Sequence, residues 1–362
     1  MRAHHLPDGV ATAHGGAAAV APGPPLDRPA REAIEAIGLA PGATRASGAG
    51  RRQVEEAPDE WRTCFERDRD RILHASAFRR LAGKTQVFVF PDDHQRTRLT
   101  HALEVAQVAG ALARALRLNV ALTEAIALGH DCGHGPGGHA SEEALSPYLH
   151  GGFDHAAWGA DVALASLNLC AETLDGVRNH SWSRPSPSTP EGEVVAWADR
   201  IAYVCHDFED AVSAGVVVVD DLPEAVVERC GRTRRHQIAA FVAAVVEGTA
   251  RAERVAMTVD AAEALAVFRN FDYERIYLRP ASCRQAEAVV SVLRALVDHL
   301  ATRPDRLPGD LGDVAERDPL EAAVTYVAGM TDRFACRRAV EWLAWAPEQL
   351  PRGVDLASPG PW

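Results

Sequence analysis

Two His-Asp dipeptides occur in this sequence, His130-Asp131 and His206-Asp207. An imidazole beside a carboxylate offers two ligands to a divalent cation, but among 15 histidines and many aspartates about one such pair arises by chance. Context separates the two. The first closes the apolar run ALTEAIALG and is followed at once by the glycines of CGHGPGGH. At a helix end the backbone leaves its regular ladder, so both side chains can turn into one cavity. His206-Asp207 lies within CHDFEDAV, beside Glu209 and Asp210. Mid-helix neighbours diverge by roughly 100° about the axis, so this acidic cluster reads either as a solvated face or as one that backs the ligand residues from behind. A third ligand is available in His101 and a fourth in Asp199, which sits in the apolar string VVAWADRIAYV. An unpaired carboxylate there would be costly. Two imidazoles and two carboxylates suit Mn, Mg, Fe, Co, Ni or Zn.

These residues need elements that converge. THALEVAQVAGALARALRL reads as a helix with Thr100 as N-cap and Leu103, Ala106, Ala109, Leu112 and Leu116 as its buried stripe. After a short break at Asn119 a second helix leads to His130, and helices joined so closely lie side by side. The glycine-rich CGHGPGGH cannot be helix interior. Helical character returns at SEEALSPYL and from about 156 to 171, and residues 181–192 form a Pro/Ser-rich loop. VVAWADRIAYVCHDFEDAVSAG reads as one long helix ending at Gly215, and EAAVTYVAGMTDRFACRRAVEWL as the last strong one. VVVV at 216–219 is too short to define a sheet. Residues 1–58 lack clean periodicity and are expected to be a disordered extension, not a signal peptide.

The length, 362 residues, fits one large domain or two modest ones. Abundant Ala and Leu favour helix. A net charge of −12 argues against nucleic acid as the main partner, although a metal and a few arginines can reverse the field inside one pocket. Seven cysteines without a CxxC pair read as reduced thiols of a cytoplasmic protein. No apolar run is long enough to span a membrane.

The strings RTRLTHALEVAQVA, AIALGHDCGHGPGGHASEEAL and ADRIAYVCHDFEDAVSAG resemble the HD superfamily, and more narrowly its deoxyguanosinetriphosphate triphosphohydrolase-like branch. RDRDRILHASAFRRLAGKTQVF on one side and TYVAGMTDRFA on the other extend the resemblance over most of residues 61–345. It implies an all-α fold, an HD-domain helical bundle around a metal held by His101, His130, Asp131 and Asp199. The domain would span 59–345, with an HD core at about 96–215, a C-terminal helical part at 216–345 and a tail at 346–362. The implied reaction is hydrolysis of a deoxynucleoside triphosphate (dNTP) to deoxynucleoside and inorganic triphosphate, in a homo-oligomer. His139 falls on the family's catalytic histidine and Glu142 on its acidic partner, one helical turn away. His134 and His155 match pocket histidines, Arg98, Arg200 and Tyr203 match phosphate-contacting positions, and Gln86 matches a contact to the sugar 3′-hydroxyl. The family loop usually reads HDLGHPPFGH. Here Cys132 and Gly137 shrink two side chains, leaving room for a different base or a more flexible loop.

Two other readings share the metal core. One is an HD phosphohydrolase acting on nucleoside monophosphates, cyclic nucleotides or (p)ppGpp. The other is a weakly catalytic nucleotide sensor. The FRRLAGKTQV and RTRLTH strings argue against the first. The retention of all four ligands with His139 and Glu142 argues against the second.

Overall fold

The computed structural model describes residues 3–21 and 23–353; the tail expected at 346–362 falls outside them beyond residue 353. The described chain is mainly helical, with a short antiparallel ribbon of His4–His5 with Ala11–Thr12. In chain order the helices are α1 (Arg28–Gly38), α2 (Cys64–His74), α3 (Ser76–Arg80), α4 (Arg98–Leu116), α5 (Val120–Gly129), α6 (His139–Leu145), α7 (His155–Trp158) and α8 (Ala171–Asn179). They continue as α9 (Pro190–Ser213), α10 (Glu224–Cys230), α11 (Arg234–Ala252), α12 (Val259–Asp272), α13 (Pro280–Ala301), α14 (Gly312–Arg317), α15 (Pro319–Ala328) and α16 (Asp332–Leu343).

The segment expected to lack order is built in from Asp27 onward. Asp27 caps α1 by accepting from Ala30 N–H. Glu191, at the start of α9, accepts from the backbone and hydroxyl of Thr44 and from Asn119 N–H. The anchors are buried polar groups distant in sequence, which local periodicity does not reveal.

α4 starts one turn earlier than expected. Thr97 is its N-cap and Thr100 lies inside, its hydroxyl accepting from Thr97 N–H at 3.1 Å. The buried face is also rotated. Leu103 is exposed, whereas Val105, Val108, Ala109, Leu112 and Ala113 are buried. Arg117 takes a left-handed conformation (φ 56°) and Asn119 caps α5, so α4 and α5 fold back on each other. Together with α9, α11 and α12 they surround one core cluster that runs on to Ile276, past the boundary expected near 215. A second cluster joins α6 to α13, α15 and α16. The site lies where the two meet.

Two long helices expected from sequence are broken. The stretch 156–171 turns through a π-helical segment, Gly159–Ala163, because its backbone passes against Gly133: a Cβ on Gly133 would lie 2.0 Å from the His155 carbonyl and 2.3 Å from Gly159 N. The C-terminal stretch splits between α15 and α16 at Gly329–Thr331. No described helix is long and apolar enough to cross a membrane.

Candidate metal centre and pocket

α4 and α9 bring His101 and Asp199 face to face, with Nε2 3.0 Å from Oδ1. His130 Nε2, at the end of α5, lies 3.5 Å from Asp131 Oδ1 and 3.6 Å from Asp199 Oδ1. His101 Nε2 is 3.9 Å from Asp131 Oδ2. The four residues expected as ligands therefore converge. His130 Nδ1–H donates to the Ala127 carbonyl at 2.6 Å, which leaves its buried Nε2 as a lone pair with no hydrogen-bond partner. A divalent cation would satisfy that nitrogen, and a backbone carbonyl behind a ligating histidine is the usual support.

The electrostatics agree with a cation here. Burial opposes charge on His130, yet Asp131 and Asp199 raise its pKa to about 9, so without an ion that Nε2 would carry a proton, the positive charge a cation would replace. Burial also opposes the Asp131 anion, but Arg98 and the neighbouring histidines hold it well below the ordinary range. Against the same penalty, His101 and His130 hold Asp199 low.

Beside this cluster stands a wall of histidines. His139 opens α6 and is largely exposed; its Nδ1 lies 3.5 Å from Glu142 Oε2. The closer partner of Glu142 is His155, whose Nδ1–H and backbone N–H donate to Oε1 at 2.6 and 3.1 Å. Burial disfavours the Glu142 anion, but bonds from His139 and His155 keep it far below its usual value. His134 stacks on His155 at 3.7 Å between centroids and reaches Asp131 Oδ1 at 3.2 Å. His180, which the sequence did not single out, completes the wall with Nε2 3.2 Å from His155 Nε2.

A cavity of about 410 Å³ opens onto these groups and is lined by Gln86, Arg98, Arg200 and Tyr203. Arg98 is engaged with the Asp131 carboxylate, Nη1 donating to Oδ2 at 2.6 Å. Arg200 lies over the Trp182 ring at 3.5 Å, with its Nε buried and unpartnered. Tyr203 accepts from Arg269 at 3.0 Å. Gln86 Oε1 is buried without a partner. Arg269 and Tyr277, which no sequence signal marked, also line the cavity, as does Asp207 of the second His-Asp dipeptide.

The His206-Asp207 region is not a solvated face. His206, Asp207 and Asp210 are buried. Arg96 explains this: it donates to Glu104, Glu209 and Asp210 at 2.8, 2.7 and 2.5 Å. The acidic cluster is a clamp on a cation from the segment leading into α4.

The glycine loop is pinned, and the room left by its small side chains is filled. Gly137 N–H donates to Asp332 Oδ1 at 2.8 Å, and Thr85 Oγ1 to Asp332 Oδ2 at 2.6 Å. The buried Lys84 ammonium donates to the carbonyls of His134 and Ala328. Gly137 has φ +74°, and a Cβ there would lie 2.4 Å from Val289 Cγ1. α13 thus occupies the space a larger residue would need.

An all-helical bundle that closes a His/Asp cluster beneath a pocket of cationic and phenolic donors defines a metal-dependent phosphohydrolase of the HD class. Residues 98–204 match the HD domain and 255–341 the phosphohydrolase-associated domain. The chain is 42% identical over 312 residues to a deoxyguanosinetriphosphate triphosphohydrolase-like protein of Caldanaerobacter subterraneus subsp. tengcongensis, covering 84% of this chain and 92% of that one. It is 41% identical to the protein of the same name from Clostridium perfringens strain 13, covering 79% and 88%. A crystal structure of a hypothetical protein from Aquifex aeolicus aligns with a TM-score of 0.49 and 18% identity, over 76% of this chain and 68% of that one. The chain belongs to the deoxyguanosinetriphosphate triphosphohydrolase-like family.

Proposed function

We propose that the protein hydrolyses dNTPs, dGTP among them, to the deoxynucleoside and inorganic triphosphate. One observation carries this reading. His101, Asp131 and Asp199 of the metal cluster, His139 and a set of phosphate-suited donors line a single cavity, with Glu142 beside His139. The names of the relatives support the substrate class.

His101, His130, Asp131 and Asp199 would hold the ion. When bound, a divalent cation supplies Lewis-acid polarisation of a phosphoryl oxygen. Arg98, Arg200 and Tyr203 offer donors to the triphosphate, and guanidinium forks suit such oxygens. Gln86, with its unpartnered carbonyl, accepts from the sugar 3′-hydroxyl. His139, at the mouth of the cavity, gives a proton to the leaving 5′-oxygen as water attacks phosphorus, and Glu142 orients it. His134 and His155 back this pair and exclude bulk water. We read the enzyme as a cytoplasmic homo-oligomer; seven free thiols among the described residues suit a reducing compartment.

The test is product analysis across the four dNTPs with Mn, Mg, Co and Fe. Inorganic triphosphate is the expected product. Orthophosphate release would instead favour a different nucleotide phosphohydrolase, and metal-dependent dNTP binding without turnover a sensor. Full activity in His139→Ala would overturn its assigned role.

A further inference from the structure

We propose that Arg279 reads the base of the nucleotide and selects guanine by donating to its O6 and N7. The inference rests on the dNTP reading above and deepens it.

Arg279 is the N-cap of α13 and lines the cavity. Its Nε–H donates to Ser282 Oγ at 2.8 Å, and the Ser282 hydroxyl donates to the Ile276 carbonyl at 2.9 Å. This relay holds the guanidinium by its inner nitrogen. Phe88 supports it from one side, with Cζ 5.5 Å from the ring centroid. Nη1 and Nη2 have no hydrogen bond or ion pair among the described residues. Burial pushes the Arg279 pKa down, and no acidic group offsets it. The other cavity arginines are engaged differently. Arg98 donates to Asp131 and Arg269 to Tyr203, while Arg200 lies over Trp182. Arg279 is thus a half-buried cation that holds out a planar pair of donors, and a ligand has to supply the acceptors.

Its place in the cavity points to the base. Phe88 lies two residues beyond Gln86, the group assigned to the sugar. Arg279 lies two residues beyond Tyr277, whose hydroxyl donates to Asp207. Both segments lead away from those groups and meet at the Phe88–Arg279 contact. Gln285 also lines the cavity. Its Oε1 accepts from Arg352 N–H at 2.7 Å and Gly353 N–H at 3.4 Å, which leaves the Nε2 donors as the free end of the amide. Guanine presents two adjacent acceptors, O6 and N7, and an arginine fork pairs with both. Adenine sets its N6 amino donor where O6 would be, donor against donor. Pyrimidines lack N7 altogether. A phosphate would also accept from the fork, but that contact is common to every dNTP, so base selectivity separates the two roles.

Triphosphate release from dGTP, dATP and 7-deaza-dGTP is measured with Mn(II) for wild type, Arg279→Ala and Arg279→Gln. In the wild type, kcat/KM for dGTP should exceed that for dATP, and that for 7-deaza-dGTP with its C–H in place of N7, by roughly 10-fold or more. Both ratios should fall towards one in Arg279→Ala. Arg279→Gln should shift the balance further towards dATP, because a glutamine amide pairs with adenine N6 and N7. A wild type that treats dGTP and 7-deaza-dGTP alike, or ratios that persist in Arg279→Ala, would overturn the base assignment and leave dNTP hydrolysis standing. No triphosphate from any dNTP overturns the hydrolysis reading and this inference with it. Circular dichroism checks that the variants fold, and if they do not, the wild-type comparison of dGTP with 7-deaza-dGTP decides.

Discussion

Replacing Arg96 by Ala should destabilise the protein by about 3–5 kcal/mol. Arg96 and its partner Asp210 are nearly buried, with side chains 9% and 7% exposed. Besides the 2.5 Å ion pair, Asp210 accepts from the Arg96 backbone N–H at 3.0 Å. Removing the guanidinium strands a buried carboxylate, which is the expensive case. The other two arms matter less. Glu104 and Glu209 are 31% and 40% exposed, and solvent-screened pairs of that kind contribute under ~1 kcal/mol each. The loss should also reach the metal centre, because the clamp ties the start of α4, which carries His101, to α9, which carries Asp199. Urea unfolding of wild type and R96A, followed by circular dichroism, measures the first effect; Mn(II) affinity measures the second. An R96M/D210L double variant should recover much of the loss, since it removes the stranded charge together with its partner. A loss below ~1 kcal/mol in R96A would mean that the acidic cluster is a solvated face after all, and the buried-clamp account would fall.

Three further outcomes are expected. Glu142→Gln should lower kcat by roughly 10²-fold or more with a smaller change in KM. Because Glu142 titrates below its ordinary value in the folded state, its stabilisation is present above the unfolded-state pKa of ~4.3 and is lost as pH falls below it. The stability gap between wild type and E142Q should therefore close on acidification, and a gap that widens would contradict the assignment. Gly137→Ala should cost about 1–3 kcal/mol, through strain at positive φ and the clash with Val289. Adding Val289→Ala should relieve only the clash, so a double-mutant cycle should show coupling and leave a residual loss. Trp182→Ala removes the ring beneath Arg200; at about 1 kcal/mol for the stack, KM for a dNTP should rise roughly fivefold while kcat holds. A fall in kcat alone would place Trp182 elsewhere in the reaction.

The convergence of His101, His130, Asp131 and Asp199 was readable because each sits on a strong local signal. His130-Asp131 closes an apolar helix before glycines, and His101 and Asp199 lie in helices with many apolar neighbours. What stayed hidden depends on distant partners. His180 ends α8 as His130 ends α5, but SWSRPS follows it and no carboxylate stands beside it. Asp332 looks like an ordinary N-terminal helix residue until Gly137 and Thr85 are seen to donate to it. The order of residues 27–50 escaped for the same reason, since the carboxylate holding Thr44 is Glu191. The buried face of α4 was misjudged at Leu103 because that helix packs α5 and α9 with its small and β-branched residues and turns Leu103 outward.

The two His-Asp dipeptides show how position decides what one pair of residues can do. Inside α9 the helical twist sends the neighbours apart. His206 Nδ1 faces Glu104 at 3.2 Å within the Arg96 clamp, while Asp207 accepts from the Tyr277 hydroxyl at the cavity wall. Burial raises Asp207 to about 7 and drives His206 down to about 2, where the Arg96 charge also opposes it. Neither group is prepared to share an ion with the other. At the end of α5 the same dipeptide meets a helix terminus whose last carbonyls lack helical partners. Ala127 gives one of them to His130 Nδ1–H, which sets the tautomer and leaves Nε2 free beside Asp131. A helix end thus does two things that its interior cannot. It lets adjacent side chains converge, and it supplies the acceptor that turns a histidine into a ligand. Val177 and His180 repeat that arrangement at the end of α8.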